Sequence, residues 1–158
     1  MKIATYNINS VNARCANLCK WLQAEQPDLV FLQEIKCETD KFLYFECESL
    51  GYKTIALGQK SYNGVAILSK SDFTVTAKNL PDFSDDAARY LEVLVQKGNI
   101  KFYAASAYIP NGCSPDRRIE AEKLDYKLKW LDKFYKRAVY LKQSGIPVII
   151  GGDFNVMM

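Results

Sequence analysis

Where the apolar runs of this sequence end, polar side chains follow. Asn7 comes just after the first run, Gln33-Glu34 after the second, Tyr108 and Asn111 at the end of a hairpin strand, and Asp153 and Asn155 after the last. In open α/β sheets, ligand-binding groups gather outside the carboxyl ends of the strands. Four strand ends are therefore expected to converge on one cleft holding two carboxylates, two or three amides and a phenol. That set is hard and oxygen-rich, suited to Mg²⁺ or Mn²⁺ and not to zinc. Such an ion can polarise a phosphoryl oxygen and lower the pKa of bound water. A neighbouring carboxylate could orient or deprotonate that water, while amides and phenol donate hydrogen bonds to the phosphoryl oxygens. The chemistry favoured is metal-assisted phosphoester hydrolysis. The chain has no histidine, which excludes Ser-His and Cys-His nucleophile pairs, HExxH zinc sites and any histidine base.

The elements that must position these groups are legible in outline. Lys2–Tyr6 reads as a strand, and Ser10 to Gln26 as a helix with Val11, Cys15, Leu18 and Leu22 on one face, stopped by Pro27. Leu29-Val30-Phe31-Leu32 is a buried strand, and strand, helix, strand suggests a crossover in a sheet covered on both sides. A short helix near Phe42–Ser49 precedes strands at Lys53–Leu57, Gly64–Ser69, Phe73–Lys78 and Tyr90–Lys97, and Gly98-Asn99 turns the chain into Ile100–Ile109. A long helix from Arg118 to Ser144 carries an apolar stripe of Leu124, Leu128, Leu131, Tyr135, Ala138 and Leu141. Gly145 closes it, and Pro147-Val148-Ile149-Ile150 forms a last buried strand.

At 158 residues the chain fits one domain. An apolar fraction of 49% with 25% charged residues is that of a globular protein, not of a disordered or coiled-coil chain. No apolar run approaches the roughly 20 residues of a membrane helix, and no signal peptide is apparent. Five cysteines at irregular spacing suit reduced thiols in the cytoplasm better than a disulfide framework. Cys15 and Cys19 lie one helical turn apart, but Cys37, Cys47 and Cys113 show no ligand spacing. The net charge of +3 is too mild to name a partner. Lys123, Lys127, Lys133, Lys136, Arg137 and Lys142 are expected to form a solvated face of the long helix. Tyr6, Tyr90, Tyr103 and Trp130 are expected in or beside the core, and Gly151-Gly152 in a tight turn at the strand end.

Six segments in order resemble the motifs of the exonuclease III class of apurinic/apyrimidinic (AP) endonucleases. They are Ile3-Ala4-Thr5-Tyr6-Asn7-Ile8-Asn9-Ser10, Pro27-Asp28 with Leu32-Gln33-Glu34-Ile35-Lys36, Tyr62-Asn63-Gly64-Val65-Ala66-Ile67-Leu68-Ser69, Ala88-Arg89, Tyr108-Ile109-Pro110-Asn111-Gly112 and Gly152-Asp153-Phe154-Asn155. The last is shared by the wider endonuclease/exonuclease/phosphatase superfamily. The resemblance implies an α/β (α+β) fold, a DNase I-like β-sandwich of mixed sheets flanked by helices, here present in part. It implies Glu34 as principal Mg²⁺ ligand, with Asn7 in the same shell. Tyr108 is implied as the tyrosine near the scissile phosphate, and Asp153 as the group that orients or activates water or protonates the leaving group. Asn155 is implied to help bind the phosphoryl group or a second metal, and Arg89 and Asn111 to contact the DNA backbone or abasic site. The implied substrate is double-stranded DNA with an abasic site or a 3′ end, cut on the 5′ side of the lesion or trimmed from the end.

Residues 1–158 resemble only the N-terminal portion of one such domain, without the Ser-Asp-His motif of the family's second half. Because each half of the family fold is expected to supply much of one sheet, the partner sheet is expected to be largely missing. Loss of that apolar contact, at about 25 cal/mol per Å², would leave the chain marginal unless another polypeptide covered it. Three readings follow: half of an enzyme completed by a complementing C-terminal polypeptide, a non-catalytic relic that binds DNA or metal weakly, or a sister-branch phosphoesterase acting on RNA, phospholipid or inositol phosphate. The Tyr108–Gly112 and Leu32–Lys36 segments favour the DNA branch over the last.

Overall fold

In the computed structural model, which describes residues 1–112 and 116–156, eight strands form two four-stranded sheets. The first half of the chain builds one sheet from β1 (Ile3–Asn7), β2 (Leu29–Gln33), β3 (Lys53–Leu57) and β4 (Val65–Ser69), in the order β1-β2-β4-β3. The second sheet follows chain order: β5 (Asp72–Lys78), β6 (Tyr90–Lys97), β7 (Ile100–Tyr108) and β8 (Val148–Asp153). Each sheet is antiparallel except at one edge, where β1 runs parallel to β2 and β8 parallel to β7. These two parallel edge strands contact each other across the sandwich.

Alternation on the central strands divides the core. Leu29 and Phe31 of β2 and Val65 and Ile67 of β4 face Leu91, Val93, Val95, Phe102 and Ala104 of the second sheet. Val30, Leu32, Ala66 and Leu68 point the other way, onto Leu18 and Leu22 of α1 (Cys15–Glu25) and Cys47 of α2 (Tyr44–Ser49). On the outer face of the second sheet, Trp130 of α3 (Arg117–Gln143) packs with Tyr90, Ala105 and Ala107. The order of layers is helix, sheet, sheet, helix.

Both sheets are therefore present, which corrects the expectation of a missing partner sheet. The short Lys70-Ser71 link carries the chain from β4 directly into the second sheet, so the inter-sheet apolar contact forms within these residues. The expected marginal stability loses its premise with it.

Several local expectations are also corrected. The first helix begins at Cys15, not Ser10, after a single 3₁₀ turn at Asn12–Arg14. Asn9 and Ser10 have φ of 45° and 83°, because the Ser10 and Val11 amides bond the Glu34 and Ile35 carbonyls instead of starting a helix. The stripe assigned to the long helix packs only in part. Leu124, Leu128 and Tyr135 are 46%, 57% and 68% exposed, whereas Leu141 is buried and Leu131 packs on the second sheet beside Trp130 and Phe134, which lie outside the stripe. Two members of the expected solvated basic face are tied down, Lys127 to the Asn155 carbonyl and Arg137 to Glu92. Tyr6 stands on the outer edge strand and is exposed, while Tyr90 is buried. Gly151 and Gly152 belong to β8 and not to a turn. A Cβ on Gly152 would lie 1.9 Å from the Ala107 carbonyl oxygen, and one on Gly151 2.3 Å from the Phe31 ring. Close approach of backbone and ring, not conformational freedom, requires glycine there.

Candidate active site

The first sheet delivers Asn7 and Glu34. In the parallel pair β1/β2, Asn7 is in register with Gln33. Directly after Gln33 the chain leaves the strand through left-handed residues, Glu34 at φ 53° and Lys36 at φ 52°. Their backbone is held by the neighbouring loop: Ile35 N–H donates to the Gly64 carbonyl and Lys36 N–H to that of Asn63. This kink turns the Glu34 side chain toward Asn7, whose Nδ2 donates to Glu34 Oε1 at 2.8 Å.

The second sheet delivers Tyr108 and Asp153, register partners at the ends of β7 and β8. Tyr108 donates its hydroxyl to Glu34 Oε1 at 2.9 Å, and Asn7 Nδ2 donates to Asp153 Oδ2 at 2.9 Å. Four predicted residues from four strand ends thus meet. Asn7 acts as donor to both carboxylates, and its own carbonyl oxygen accepts from the Asn9 amide at 3.2 Å. Asn155, at φ 46°, supports the cluster from behind. Its backbone N–H donates to Asp153 Oδ1 at 3.1 Å, and its side-chain amide donates to the Ile109 carbonyl at 2.8 Å. Arg89 lies against Tyr108, its guanidinium carbon 4.8 Å from the ring centroid and Nη1 donating to the Tyr108 carbonyl at 3.3 Å. Among the described residues, Arg89 Nε is buried with no hydrogen-bond partner. Asn111 is exposed, beyond the end of β7.

Lys36, to which the spacing assigned no role, bridges Glu34 Oε2 at 2.9 Å and Asn9 Oδ1 at 2.6 Å. Burial by itself pushes the Glu34 carboxyl up, but the hydrogen bonds from Asn7, Lys36 and Tyr108 outweigh it and hold the group below the usual range. The Tyr108 phenol is pushed up to about 12 by burial and by its bond to Glu34. It is therefore a proton donor, not a base, at neutral pH.

The donor chemistry fits a hard divalent cation. Glu34 and Asp153 each reach the same amide nitrogen through one oxygen, so two carboxyl groups are held together, with Lys36 paired to Glu34. No sulfur or imidazole is among them. Among the described residues no group of three His, Cys, Asp or Glu side chains is placed to hold a metal, and Cys15 and Cys19 are free thiols. Burial pushes the Cys37 and Cys47 thiols up to about 11 and about 12; Cys113 lies outside the described residues. No helix among those residues is long and apolar enough to cross a membrane.

A model of the Endonuclease/Exonuclease/phosphatase family matches residues 4–158, and the chain belongs to that family. Within it, the chain is 31% identical over 160 residues to exodeoxyribonuclease III of Haemophilus influenzae, a match that covers 99% of this chain and 58% of the relative. The fold is similar to that of a 3′-5′ exonuclease from Neisseria meningitidis, with TM-score 0.85 and 30% identity over 99% of this chain and 58% of the other. It is also similar to an AP endonuclease from Archaeoglobus fulgidus, with TM-score 0.78 and 30% identity over the same shares. The chain thus spans a little over half the length of these proteins.

Proposed function

We propose that this protein is a divalent-metal-dependent phosphodiesterase of DNA repair, acting at abasic sites and 3′ ends of double-stranded DNA. The observation that carries the proposal is the meeting of Asn7, Glu34, Tyr108 and Asp153 at four strand ends. Its support is the kinship with exodeoxyribonuclease III and AP endonucleases, and the similarity, at TM-score 0.82, to a Neisseria 3′ phosphatase bound to product DNA hairpin.

Glu34 and Asp153 are the carboxylates that would hold Mg²⁺ or Mn²⁺, with Asn7 beside them and Asn155 as a further donor. When bound, the ion supplies Lewis-acid polarisation of a phosphoryl oxygen. The Asn7 amide keeps the two carboxylates together. Asp153 orients the attacking water or returns a proton to the leaving oxygen. Tyr108, protonated at neutral pH, donates to a phosphoryl oxygen. Asn155 fixes the Asp153 carboxylate through its backbone N–H, and Arg89 and Asn111 contact the DNA backbone or the abasic site.

The test is Mg²⁺-dependent incision of an abasic-site duplex by the purified protein. EDTA, Glu34→Ala and Asp153→Ala should each abolish it. Activity that survived both substitutions would place the chemistry elsewhere. A second reading, in which the site works only with a complementing polypeptide, is favoured by one observation. β1 and β8, the strands that end in Asn7 and Asp153, are both sheet edges. Incision that required addition of the second half of a related enzyme would establish it.

A further inference from the structure

The groups of the candidate site are divided between the two sheets, with Asn7 and Glu34 on one and Tyr108 and Asp153 on the other. Their contacts therefore depend on how the sheets sit relative to each other. Most of the inter-sheet contact is apolar, and apolar contact is non-directional. One buried polar link does have direction. Gln33 Nε2 donates to Ser106 Oγ at 3.2 Å, and Ser106 Oγ donates to the Leu32 carbonyl at 3.1 Å, joining β2 to β7 across the sandwich. On the same sheet, Thr5 Oγ1 donates to Gln33 Oε1 at 3.3 Å. Gln33 is 1% exposed and Ser106 0%.

The link sits directly beneath the site. Gln33 precedes Glu34, and Thr5 and Ser106 stand two residues before Asn7 and Tyr108 on their strands. Alternation along a strand puts residues two apart on one face. Ser106 is in register with Gly151, two residues before Asp153, and the missing side chain at Gly151 admits the Phe31 ring of the opposite sheet. A directional polar layer is thus interposed between the apolar inter-sheet core and the four functional side chains.

We infer that Gln33 and Ser106 are positioning residues, which set the separation of the sheets so that Asn7 reaches Asp153 and Tyr108 reaches Glu34. A buried hydrogen bond is expensive to leave half made, so the link resists sliding of one sheet over the other. Displacing reactive groups by about 1 Å can cost on the order of a hundredfold in rate. The inference rests on the proposed phosphodiesterase only for its kinetic readout.

The test compares Ser106→Ala with Val95→Ala, a control that weakens the inter-sheet core at a residue of β6 away from the link. The first readout is the side-chain amide resonance of Asn7 in the metal-free protein, assigned by its loss in Asn7→Asp. Ser106→Ala should shift it and Val95→Ala should leave it in place, although both lower the unfolding temperature. The second readout is incision of an abasic duplex, where Ser106→Ala should lower kcat about tenfold or more with KM unchanged. An Asn7 resonance that stays put in Ser106→Ala while the unfolding temperature falls would reduce the link to a structural role and overturn the inference. If the unaltered protein fails to incise DNA, the proposed function falls, and the Asn7 resonance alone decides the positioning role.

Discussion

Replacing Arg137 with Met is expected to cost about 3–5 kcal/mol of folding stability. Glu92 of β6 is fully buried under α3. Its carboxylate accepts from Arg137 Nε at 2.8 Å and Nη2 at 2.6 Å, from Thr76 Oγ1 at 2.6 Å and from the Tyr90 hydroxyl at 2.7 Å. Methionine keeps most of the arginine's aliphatic volume but removes the charge and two of these four donors. The carboxylate left behind would have two neutral donors and no counter-charge. Against a typical total of ~5–15 kcal/mol, that loss is large. Burial alone pushes the Glu92 carboxyl up, yet the bonds from Arg137, Thr76 and Tyr90 outweigh it and hold the group below the usual range. The stabilisation is therefore complete above the unfolded-state pKa and disappears as pH falls through the lower folded-state value. In Arg137→Met the folded-state value rises, so protonation relieves the buried charge. Urea unfolding at pH 7 and pH ~4.5 should show a gap between the two proteins that narrows at the lower pH. Adding Glu92→Leu should recover much of the loss. A difference below about 1 kcal/mol at pH 7, or a gap that widens on acidification, would refute the reasoning.

Tyr108→Phe removes the phenol's donor, and kcat for abasic-site incision should fall roughly hundredfold while gel-shift affinity for the duplex is unchanged. Gly152→Ala would force a methyl against the Ala107 carbonyl oxygen inside a paired strand, and the unfolding temperature should drop even though alanine is compatible with strand backbone. Asp28 is held down to about 2 by the Lys97 ammonium and the Lys2 amide. Its contribution to stability is present above the ordinary value of 3.8 and is lost as pH falls toward 2. Unfolding temperatures measured from pH 6 to pH 2 should therefore lose less in Asp28→Asn than in the unaltered protein.

The residues that meet in the site were legible because each follows an apolar run, and a strand end is readable from where that run stops. Asn7, Glu34, Tyr108 and Asp153 were found in this way. What the sequence left hidden depended on tertiary pairing. Lys36 follows Glu34 by two residues, but alternation fails where two residues of a three-residue stretch have positive φ. Gln33 was legible as a strand-end amide, but it lies buried beneath the cleft instead of in it, and its pairing with Ser106 appears only once the sheets are stacked. On the long helix, the regular leucine spacing marked the packed face only in part: Leu131 and Leu141 turn inward, but Leu124, Leu128 and Tyr135 do not. Trp130 and Phe134 offer larger side chains to the sheet, and Arg137 must reach Glu92. The topology misled for a different reason. Half a fold was expected to mean one sheet, whereas these residues contribute to both.

The two strands that end in Asn7 and Asp153 are also the outermost strands of their sheets. Edge strands fray first, since one side of each lacks ladder partners. Amide hydrogens of β1 and β8 should therefore exchange with deuterated water sooner than those of β2 and β7. Each such opening would draw Asn7 or Asp153 away from Glu34 and Tyr108, so the breathing of two sheet edges becomes a brake on chemistry. Whatever caps those edges would tune the rate without touching a reacting atom.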